Sequence, residues 1–474
     1  MTHATVASVP PTSQEESRSH LEHMLLDITA QEPVHASGKR KPGRPPVLSS
    51  WHLCLGLLVC LARGWHAQRD LWRLISFEGF GRFAPLGLCD QAIYNRLEDD
   101  GTSMFQQLFA HVSGWLRQHL APYEACHLAP FATAVVALDE SVLDKVTRTL
   151  SCLREVPNGD SRLLPGRLCC LFDIRLQQWL RVEVLADATA NCKRHARAML
   201  TGLLPGTLIL FDRGYFSFPW FDDLTLAGFF WISRTAGKTR YPLVHVFYQA
   251  DGILDALVQV GAYRADRAAH TVRLVRFRVG SQTYSYLTNV TDPATLPLAE
   301  IARLYARRWD IELAFLALKE HLGLNLLWSA KLVVIHQQIW ACLILAQLFH
   351  AFQVEMAARA DVEPYDVSLD LIIRLVPRLW QQGVDPMAFL LEHGRAMQVI
   401  RPSSRLKPLV PHIPLWLIIY PPEEVILVRP PRSARRKCQS RHTSQKRGNE
   451  LESMLHRPRP YRRVFPPKDG EYIR

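Results

Sequence analysis

Cysteine spacing of the kind that binds zinc is missing from this chain. The sequence has neither a C-x-x-C pair nor a cluster of cysteine and histidine, which argues against a zinc site. The scattered cysteines are typical of buried thiols in a reducing compartment. They are Cys54, Cys60, Cys89, Cys126, Cys152, Cys169, Cys170, Cys192, Cys342 and Cys438.

A secretory signal and a clear membrane span are missing as well. The first twenty residues, MTHATVASVPPTSQEESRSH, have no basic stretch followed by an apolar one, as a signal peptide requires. The most apolar long stretch, residues 332–352, is interrupted by two histidines and three glutamines, which favours a buried helix. We therefore predict a cytoplasmic protein without a membrane partner.

Acidic residues are fewer than basic ones, which bears on the kind of partner. Lys and Arg number 56 against 44 Asp and Glu, a formal net charge of +12. This excess favours a polyanion such as nucleic acid over an acidic metabolite. With 474 residues, 48% of them hydrophobic, the chain can bury a large core over two to four domains.

Both ends of the chain lack the periodic apolar pattern of packed elements. Residues 1–46 are polar and Pro-rich and end in GKRKPGRPP, which predicts a flexible basic arm. Arg44 in its Gly-Arg-Pro core resembles a minor-groove clamp of the AT-hook kind, although so short a motif favours a solvated linker. Residues 429–474 are basic and Pro-rich and are predicted to be disordered.

A helical region, residues 47–125, follows the arm. It opens with LSSWHLCLGLLVCLARG, where a serine pair is suited to capping and a glycine to ending a helix. The stretch DQAIYNRL (90–97) has the size and polarity of a helix that reads DNA, with Arg96 among its projecting side chains. Packing in a helical bundle remains an alternative for this helix.

Residues 130–237 change to alternating strand and helix patterns. Three strand patterns come first, then a helix, a strand, a helix and a fifth strand. This is the order of a ribonuclease H-like core, an α/β fold with a mixed five-stranded sheet and flanking helices. The segments are TAVVALDES, RLCCLFDIRL, QWLRVEVLAD, NCKRHARAML, TLILFD, SFPWFDDLTLAG and FFWISRT.

The rest of the chain divides into two predicted parts. Residues 238–295 contain YPLVHVFY, TVRLVRFRV and QTYSYLTNV, which predict a β-rich insertion. Residues 296–400 are mostly helical in pattern and are predicted to complete the catalytic core with C-terminal helices.

Two aspartates follow strands that should be neighbours. Asp139 follows VVAL and Asp212 follows LILF, and a right-handed crossover would place the first and fourth strands side by side. Both carboxylates are then expected at the same end of the sheet. An Asp after a strand often only caps a turn, which remains an alternative for each residue alone.

The segment YARRWDIELAFLALKEHLGL (305–324) carries a third carboxylate. On a helix, Tyr305, Arg308, Glu312 and Lys319 fall within an arc of roughly 60°. Glu312 would then be flanked by groups able to hold phosphates. The alternative is an ordinary solvated charged face.

Three carboxylates without His or Cys suit hard cations. Asp139, Asp212 and Glu312 would bind two Mg²⁺ or Mn²⁺ ions and support displacement at phosphorus. Tyr305, Arg308 and Lys319 would hold neighbouring phosphates. Asp173 and Glu183 are the more serious alternatives as carboxylates. We expect Glu140 on the opposite sheet face and Asp310 pointing away from Glu312, and we expect these residues to face solvent: Asp144, Asp222 and Asp223.

These residues resemble a known pattern. Asp139, Asp212 within FDRGY, and Tyr305-x2-Arg308-x3-Glu312-x6-Lys319 are similar to the DDE triad and Y-R-E-K signature of bacterial transposases of insertion-sequence family four. YLTNV (286–290) is also similar to that family's pattern. The resemblance covers residues 40 to 400 approximately.

The resemblance implies a cut-and-paste DNA transposase, bacterial and nucleoid-associated. It implies a homodimer on double-stranded DNA that recognises terminal inverted repeats, cleaves with metal ions and joins the 3′-OH to target DNA. Whether a hairpin forms on the cleaved end stays open. A catalytically silent DNA-binding protein or repressor derived from such an element is the main alternative, and a stand-alone nuclease is another.

Overall fold

The structure is a computed structural model. It describes residues 47–81, 83–143, 166–185, 192–235, 241–261, 267–329, 331–402, 410–422, 425 and 427–428. The elements below all belong to one compact unit, Met1–Leu427. The predicted basic arm with Arg44, the predicted tail and Asp144 lie outside the described residues.

The N-terminal part described is helical, as the sequence predicts. Ser49 caps the first helix, because its hydroxyl accepts the His52 N–H at 3.1 Å, and Gly64 follows the helix with φ +73°. DQAIYNRL lies in a helix that runs two residues further than predicted. The helices are α1 Ser50–Ala62, α2 Gln68–Arg73, α3 Asp90–Asp99 and α4 Ser103–Leu120, with a π-helical turn Leu74–Glu78 and a 3-10 turn Ala121–Tyr123.

The predicted strand order is found in the central sheet. Strands β1, β2 and β3 form an antiparallel meander, β4 runs parallel to β1, and β5 runs parallel to β4. The five strands and their two helices are β1 Val135–Val142, β2 Arg167–Asp173, β3 Gln178–Leu185, α5 Cys192–Met199, β4 Leu208–Phe211, α6 Phe218–Leu226 and β5 Phe230–Arg234. The α/β class is confirmed.

The sheet does not end at β5, which corrects the prediction of five strands. The β-rich segment continues the same sheet, because its last strand pairs antiparallel with β5. The described residues form nine strands in the order β3-β2-β1-β4-β5-β9-β8-β7-β6. The added strands are β6 Leu243–Ala250, β7 Ile253–Val258, β8 Val272–Val279 and β9 Gln282–Thr288.

A buried ion pair ties these added strands to the chain that leads to the candidate site. Arg273 on β8 donates to both carboxylate oxygens of Asp255 on β7, at 2.7 and 2.6 Å, with both side chains inaccessible. The same guanidinium donates to the Leu296 carbonyl at 2.6 Å, two residues before the next helix. Because the Arg273 guanidinium has both the Asp255 carboxylate and the Leu296 carbonyl as partners, the free-energy cost of burying its charge is offset.

The remaining helices follow β9 in the chain. They are α7 Leu298–Arg307, α8 Trp309–Leu316, α9 Leu332–Arg359, α10 Leu369–Gln381 and α11 Pro386–His393, with a π-helical turn Ala317–His321 and 3-10 turns Pro364–Asp366 and Leu415–Leu417. Helix α9 is apolar and long enough to cross a membrane, but 83% of its most apolar window is buried inside the protein. The predicted buried helix is confirmed.

The glutamines that interrupt the apolar run of α9 serve as buried hydrogen-bonding groups. Gln347 accepts the Trp179 N–H at 2.8 Å and donates to the Trp179 carbonyl at 2.9 Å, which satisfies the backbone of β3. Gln337 donates to the carbonyl of Leu97 in the last turn of α3 and to that of Gly101 just after the helix. Helix α9 therefore joins the helical region to the sheet through satisfied polar contacts as well as apolar packing.

Candidate active site

The two predicted aspartates lie side by side at one end of the sheet. Leu138 on β1 pairs with Phe211 on the parallel strand β4, so Asp139 and Asp212 follow in the same row. The expectation that β1 ends at Asp139 is wrong, because β1 continues to Val142 by pairing with β2. Asp139 thus lies where β4 stops, and its backbone stays fixed by the antiparallel partner.

The same row contains an arginine that sequence reasoning missed. Ser233 on β5 pairs with Phe211, so Arg234 follows beside Asp212 and pairs with Tyr286 on β9. Arg234 is exposed. Arg234 is the last residue of the strand pattern FFWISR, and Asp212 comes directly after the strand pattern LILF. The strand order that predicts the position of the aspartates therefore also predicts that of Arg234.

Arg308 brings the third carboxylate to this edge. It is the single residue between α7 and α8 and keeps helical backbone angles. One guanidinium nitrogen lies 3.0 Å from Oδ2 of Asp139 and the other 2.6 Å from Oε1 of Glu312. The Arg308 side chain is only 7% exposed, so the link between β1 and α8 is largely shielded from water.

The acidic groups influence one another electrostatically. The pKa of Asp139 is raised to about 7, chiefly by burial and also by the charges of Asp212 and Glu312, although the Glu140 N–H and Arg308 act to lower it. Since the pKa lies well above the ordinary range of an aspartate, Arg308 alone compensates the negative charge incompletely. A further cation would be favoured here.

The predicted stripe of Tyr305, Arg308, Glu312 and Lys319 faces the end of β1, although its helix is interrupted. Tyr305, 8% exposed, packs on Tyr286 with ring centroids 4.8 Å apart. Lys319 lies in the π-helical turn and donates to the Ser141 hydroxyl at 2.6 Å and the Val142 carbonyl at 2.8 Å. A solvated charged face therefore does not describe the stripe.

The three carboxylates suit a hard divalent cation by their chemistry, but their side chains are not positioned to coordinate one ion together. Carboxylate oxygens are what Mg²⁺ and Mn²⁺ prefer, and the raised pKa of Asp139 fits a site short of positive charge. Within the described ranges, however, no three acidic, His or Cys side chains are grouped closely enough for one ion. Arg308 occupies one oxygen of Asp139 and one of Glu312, and a cation bound there would compete with it for these oxygens.

Arg96 is held by the helical region itself. Its guanidinium donates to the Ser50 hydroxyl at 2.9 Å and pairs with Asp100 at 2.9 Å, with 26% of the side chain exposed. These contacts favour the packing interpretation of this helix, and contact of Arg96 with DNA stays a prediction.

The acidic residues ranked below the triad have partners elsewhere. Glu140 pairs with Arg167 at 2.7 Å. Asp222 was expected to face solvent, but its side chain is only 16% exposed because it accepts the N–H groups of the 269–270 segment. Asp223 pairs with an arginine of α5. Asp310 points away from Glu312, as predicted, and is buried.

Asp173 and Glu183, the more serious alternatives, do not join the site either. Asp173 lies at the end of β2, opposite the Asp139 end, and accepts the N–H groups of Arg175 and Leu176 at 2.9 and 3.0 Å. Glu183 lies on the edge strand β3 with its side chain 42% exposed. Asp173 is therefore a buried turn residue.

The Asp173→Asn variant should be more stable than the wild type at pH 8. Burial raises the pKa of Asp173 to about 6 from 3.8, so its protonated form stabilises the fold at low pH and the contribution is lost as the pH rises through 6. Asparagine keeps the acceptor oxygen without the charge. We expect a gain of about 2 kcal/mol at pH 8 that vanishes near pH 4, measured by denaturant unfolding, and equal stabilities at pH 8 would contradict it.

Comparison with protein families finds a similar domain in the central part of the chain. The family model described as the transposase DDE domain matches residues 159–348. The matched region contains Asp212 and the 305–324 segment and begins after Asp139. The central part of the chain is thus similar to the DDE domains of transposases.

Two curated bacterial proteins are also similar to this chain. The transposase InsG for insertion sequence element IS4 from Escherichia coli is 24% identical over 216 residues, which are 43% of this chain and 47% of InsG. The protein y4zB from Sinorhizobium fredii is 26% identical over 203 residues, 41% of this chain and 54% of y4zB. The matches span about half the length of these relatives. The resemblance to DDE transposases of the IS4 type is confirmed.

A solved structure of the piggyBac transposase synaptic complex with hairpin DNA aligns with 81% of this chain, over 82% of the piggyBac chain. The TM-score is 0.38 and the sequence identity 9%. A score this low supports no inference about this chain.

Proposed function

We propose that the chain is the DNA transposase of an insertion sequence, which binds transposon ends and carries out metal-dependent cleavage and strand transfer. The observation that carries this proposal is that Asp139 and Asp212 follow paired positions of β1 and β4, while Arg308 joins Asp139 to Glu312. The core is then ribonuclease H-like, since its first five strands follow that order.

Asp139, Asp212 and Glu312 are the groups that would hold two Mg²⁺ or Mn²⁺ ions. Bound there, such ions activate the attacking oxygen and stabilise the leaving oxygen in displacement at phosphorus. Asp139 must lose its proton to act as a ligand, and its raised pKa makes this a step that neighbouring positive charge assists.

Arg308, Lys319 and Tyr305 are proposed to contact the phosphates beside the scissile bond. The guanidinium of Arg308 makes a bond to each of two carboxylates, and a phosphate accepts the same paired donors. DNA can therefore replace one carboxylate as the partner of Arg308. Exposed Arg213 and Arg234 add positive charge to the same edge.

The other predicted parts are proposed to supply DNA binding around this core. Residues 47–125, with Arg96, would contact the inverted repeats of double-stranded DNA, and the arm 1–46 with Arg44 and the tail 429–474 would add phosphate contacts. The protein would act as a homodimer on paired ends and on target DNA, in the bacterial cytoplasm at the nucleoid. The divisions 130–237, 238–295 and 296–400 describe the core and its insertion.

Two other functions are compatible with the same family. A silent DNA-binding protein or repressor would bind ends without cutting, and a nuclease would cut without joining. The three carboxylates favour activity over silence, since a silent protein has no need to keep all three at one edge.

The test uses the full-length protein and labelled linear DNA that carries both segments flanking its own coding sequence. Reactions contain Mg²⁺, Mn²⁺ or EDTA, with a supercoiled plasmid as target. Cleavage at defined ends followed by joining to the plasmid, in either metal and not in EDTA, is the expected result.

The remaining outcomes separate the alternatives. Cleavage without any joined product would favour the nuclease. Specific binding without cleavage in either metal would favour the repressor. Equal, salt-sensitive affinity for all DNA with no cleavage would overturn the proposal.

A further inference from the structure

A buried carboxylate lies between the two key residues of the 305–324 segment. Asp310 is 2% exposed and sits two residues after Arg308 and two before Glu312. On a helix, residues two apart lie about 200° from one another around the axis. Asp310 therefore faces the protein interior when Glu312 faces the sheet edge.

Three donors from separate parts of the chain converge on this carboxylate. Arg307 donates its Nε–H to Oδ2 of Asp310 at 2.8 Å, and the Gln177 amide donates to the same oxygen at 3.1 Å. The hydroxyl of Tyr365 also donates to this oxygen. Such charge-assisted bonds in a shielded place are stronger than their exposed equivalents.

The partners of Asp310 are themselves fixed by the fold. Gln177 lies in the turn between β2 and β3 with φ +55° and donates to the Ile174 carbonyl at 2.9 Å. Tyr365 lies in the 3-10 turn after α9, and the Arg307 guanidinium lies 4.6 Å from its ring centroid. The start of α8 is thus tied both to the sheet and to the segment after α9.

These ties restrict rotation of α8 about its axis. Side-chain groups lie about 5–6 Å from the axis, so a turn of 20° moves them by about 2 Å. Such a rotation would take Asp310 out of reach of its donors and swing Glu312 away from Arg308 and Asp139. Displacements of 1 Å already cost about a hundredfold in rate in active sites.

We propose that Asp310 is a positioning residue, which holds α8 in the rotation that presents Arg308 and Glu312 to Asp139. The inference rests on the proposed function for its effect on cleavage. Whether Asp310 fixes the rotation of α8 is a property of the fold, and it can be measured without DNA.

The experiment compares Asp310→Asn and Tyr365→Phe with Glu355→Gln in the full-length protein. Tyr365→Phe is the mild change, because it removes one donor and keeps the ring that contacts Arg307. Glu355 is the matched control, a carboxylate 1% exposed and paired with Arg359 on α9. Its loss should lower stability without touching α8.

The first readout is amide hydrogen exchange without metal or DNA. We expect amides of Trp309–Leu316 to exchange roughly tenfold faster in Tyr365→Phe and more in Asp310→Asn, while those of the α9 core remain protected. In Glu355→Gln, the α8 amides should match the wild type. Exchange in α8 that stays unchanged in both test variants would overturn the proposal.

The second readout is the Mn²⁺ concentration that gives half-maximal DNA cleavage. Disturbing the residues that orient metal ligands costs roughly 10- to 100-fold in affinity or activity, so this concentration should rise in both test variants with unchanged DNA affinity. It should stay constant in Glu355→Gln. If the wild type does not cleave DNA, the proposed function fails, and the exchange result still decides whether Asp310 holds α8.

Discussion

Replacing Glu312 by glutamine should abolish DNA cleavage while DNA binding and the fold persist. Glutamine keeps the side-chain oxygen that accepts from Arg308 at 2.6 Å, so the contact between α8 and the sheet edge survives in neutral form. The charge that would bind a cation is lost. We expect the cleavage rate to fall on the order of a thousandfold or more, with DNA affinity changed less than about threefold.

The measurement is a single-turnover cleavage assay in Mn²⁺ together with DNA binding by fluorescence anisotropy. Glu320→Gln is the matched control, an exposed glutamate in the following π-helical turn with no contact to Asp139. It should cleave at the wild-type rate. If Glu312→Gln also cleaves at that rate, Glu312 is not a metal ligand and the proposed site is wrong.

The positions of Asp139 and Asp212 at neighbouring strand ends could be predicted, because strand patterns determine them. VVAL and LILF are buried runs of strand-forming residues, and the helix between them requires a crossover that lays the two strands in parallel. Asp139 and Asp212 then fall at one end whatever the loops do. The same strand order also places Arg234, which ends β5, beside Asp212.

The partners of Arg308 could not be predicted in this way. Helical spacing places Arg308 one turn before Glu312, but only the packing of α8 against β1 shows that its guanidinium also reaches Asp139 at 3.0 Å. The extension of the sheet beyond β5 has the same origin. Strand patterns identify β6, β8 and β9, but the pairing of β9 with β5 depends on contacts distant in sequence.

Buried acids show a further limit of sequence reasoning. Asp310 is inaccessible because its donors include Gln177 and Tyr365, which are both distant from it in the sequence. Asp222, expected to face solvent, accepts backbone N–H groups from the 269–270 segment. The sequence alone contains no pairing signal for such contacts, since each joins segments far apart in the chain.

Replacing Arg308 by glutamine should make the metal-free protein less stable and its response to metal larger. The variant leaves Asp139 and Glu312 without their shared counter-ion, which we expect to cost about 1–3 kcal/mol at pH 8, because Arg308 is buried while Glu312 is partly exposed. The two oxygens that Arg308 contacts in the wild type, Oδ2 of Asp139 and Oε1 of Glu312, become available to a cation at the same time. Added Mn²⁺ should therefore raise the melting temperature more in Arg308→Gln than in the wild type.

The pH dependence of Arg308→Gln gives an independent check on the same geometry. Arg308 lowers the pKa of Asp139, so its removal raises that pKa further. A raised aspartate pKa favours the fold at low pH and loses that contribution as the pH rises through the folded value. The variant should thus be destabilised more at pH 8.5 than at pH 6.

Arg359→Gln is the matched control for Arg308→Gln, since Arg359 also pairs with a glutamate four residues away on a helix. It should lose stability without gaining any response to Mn²⁺. A smaller Mn²⁺ shift in Arg308→Gln than in the wild type would mean that the guanidinium supports the metal site instead of competing for it. The larger shift would mean that metal and Arg308 compete for Asp139 and Glu312, so that a DNA phosphate drawing Arg308 away would also favour metal binding.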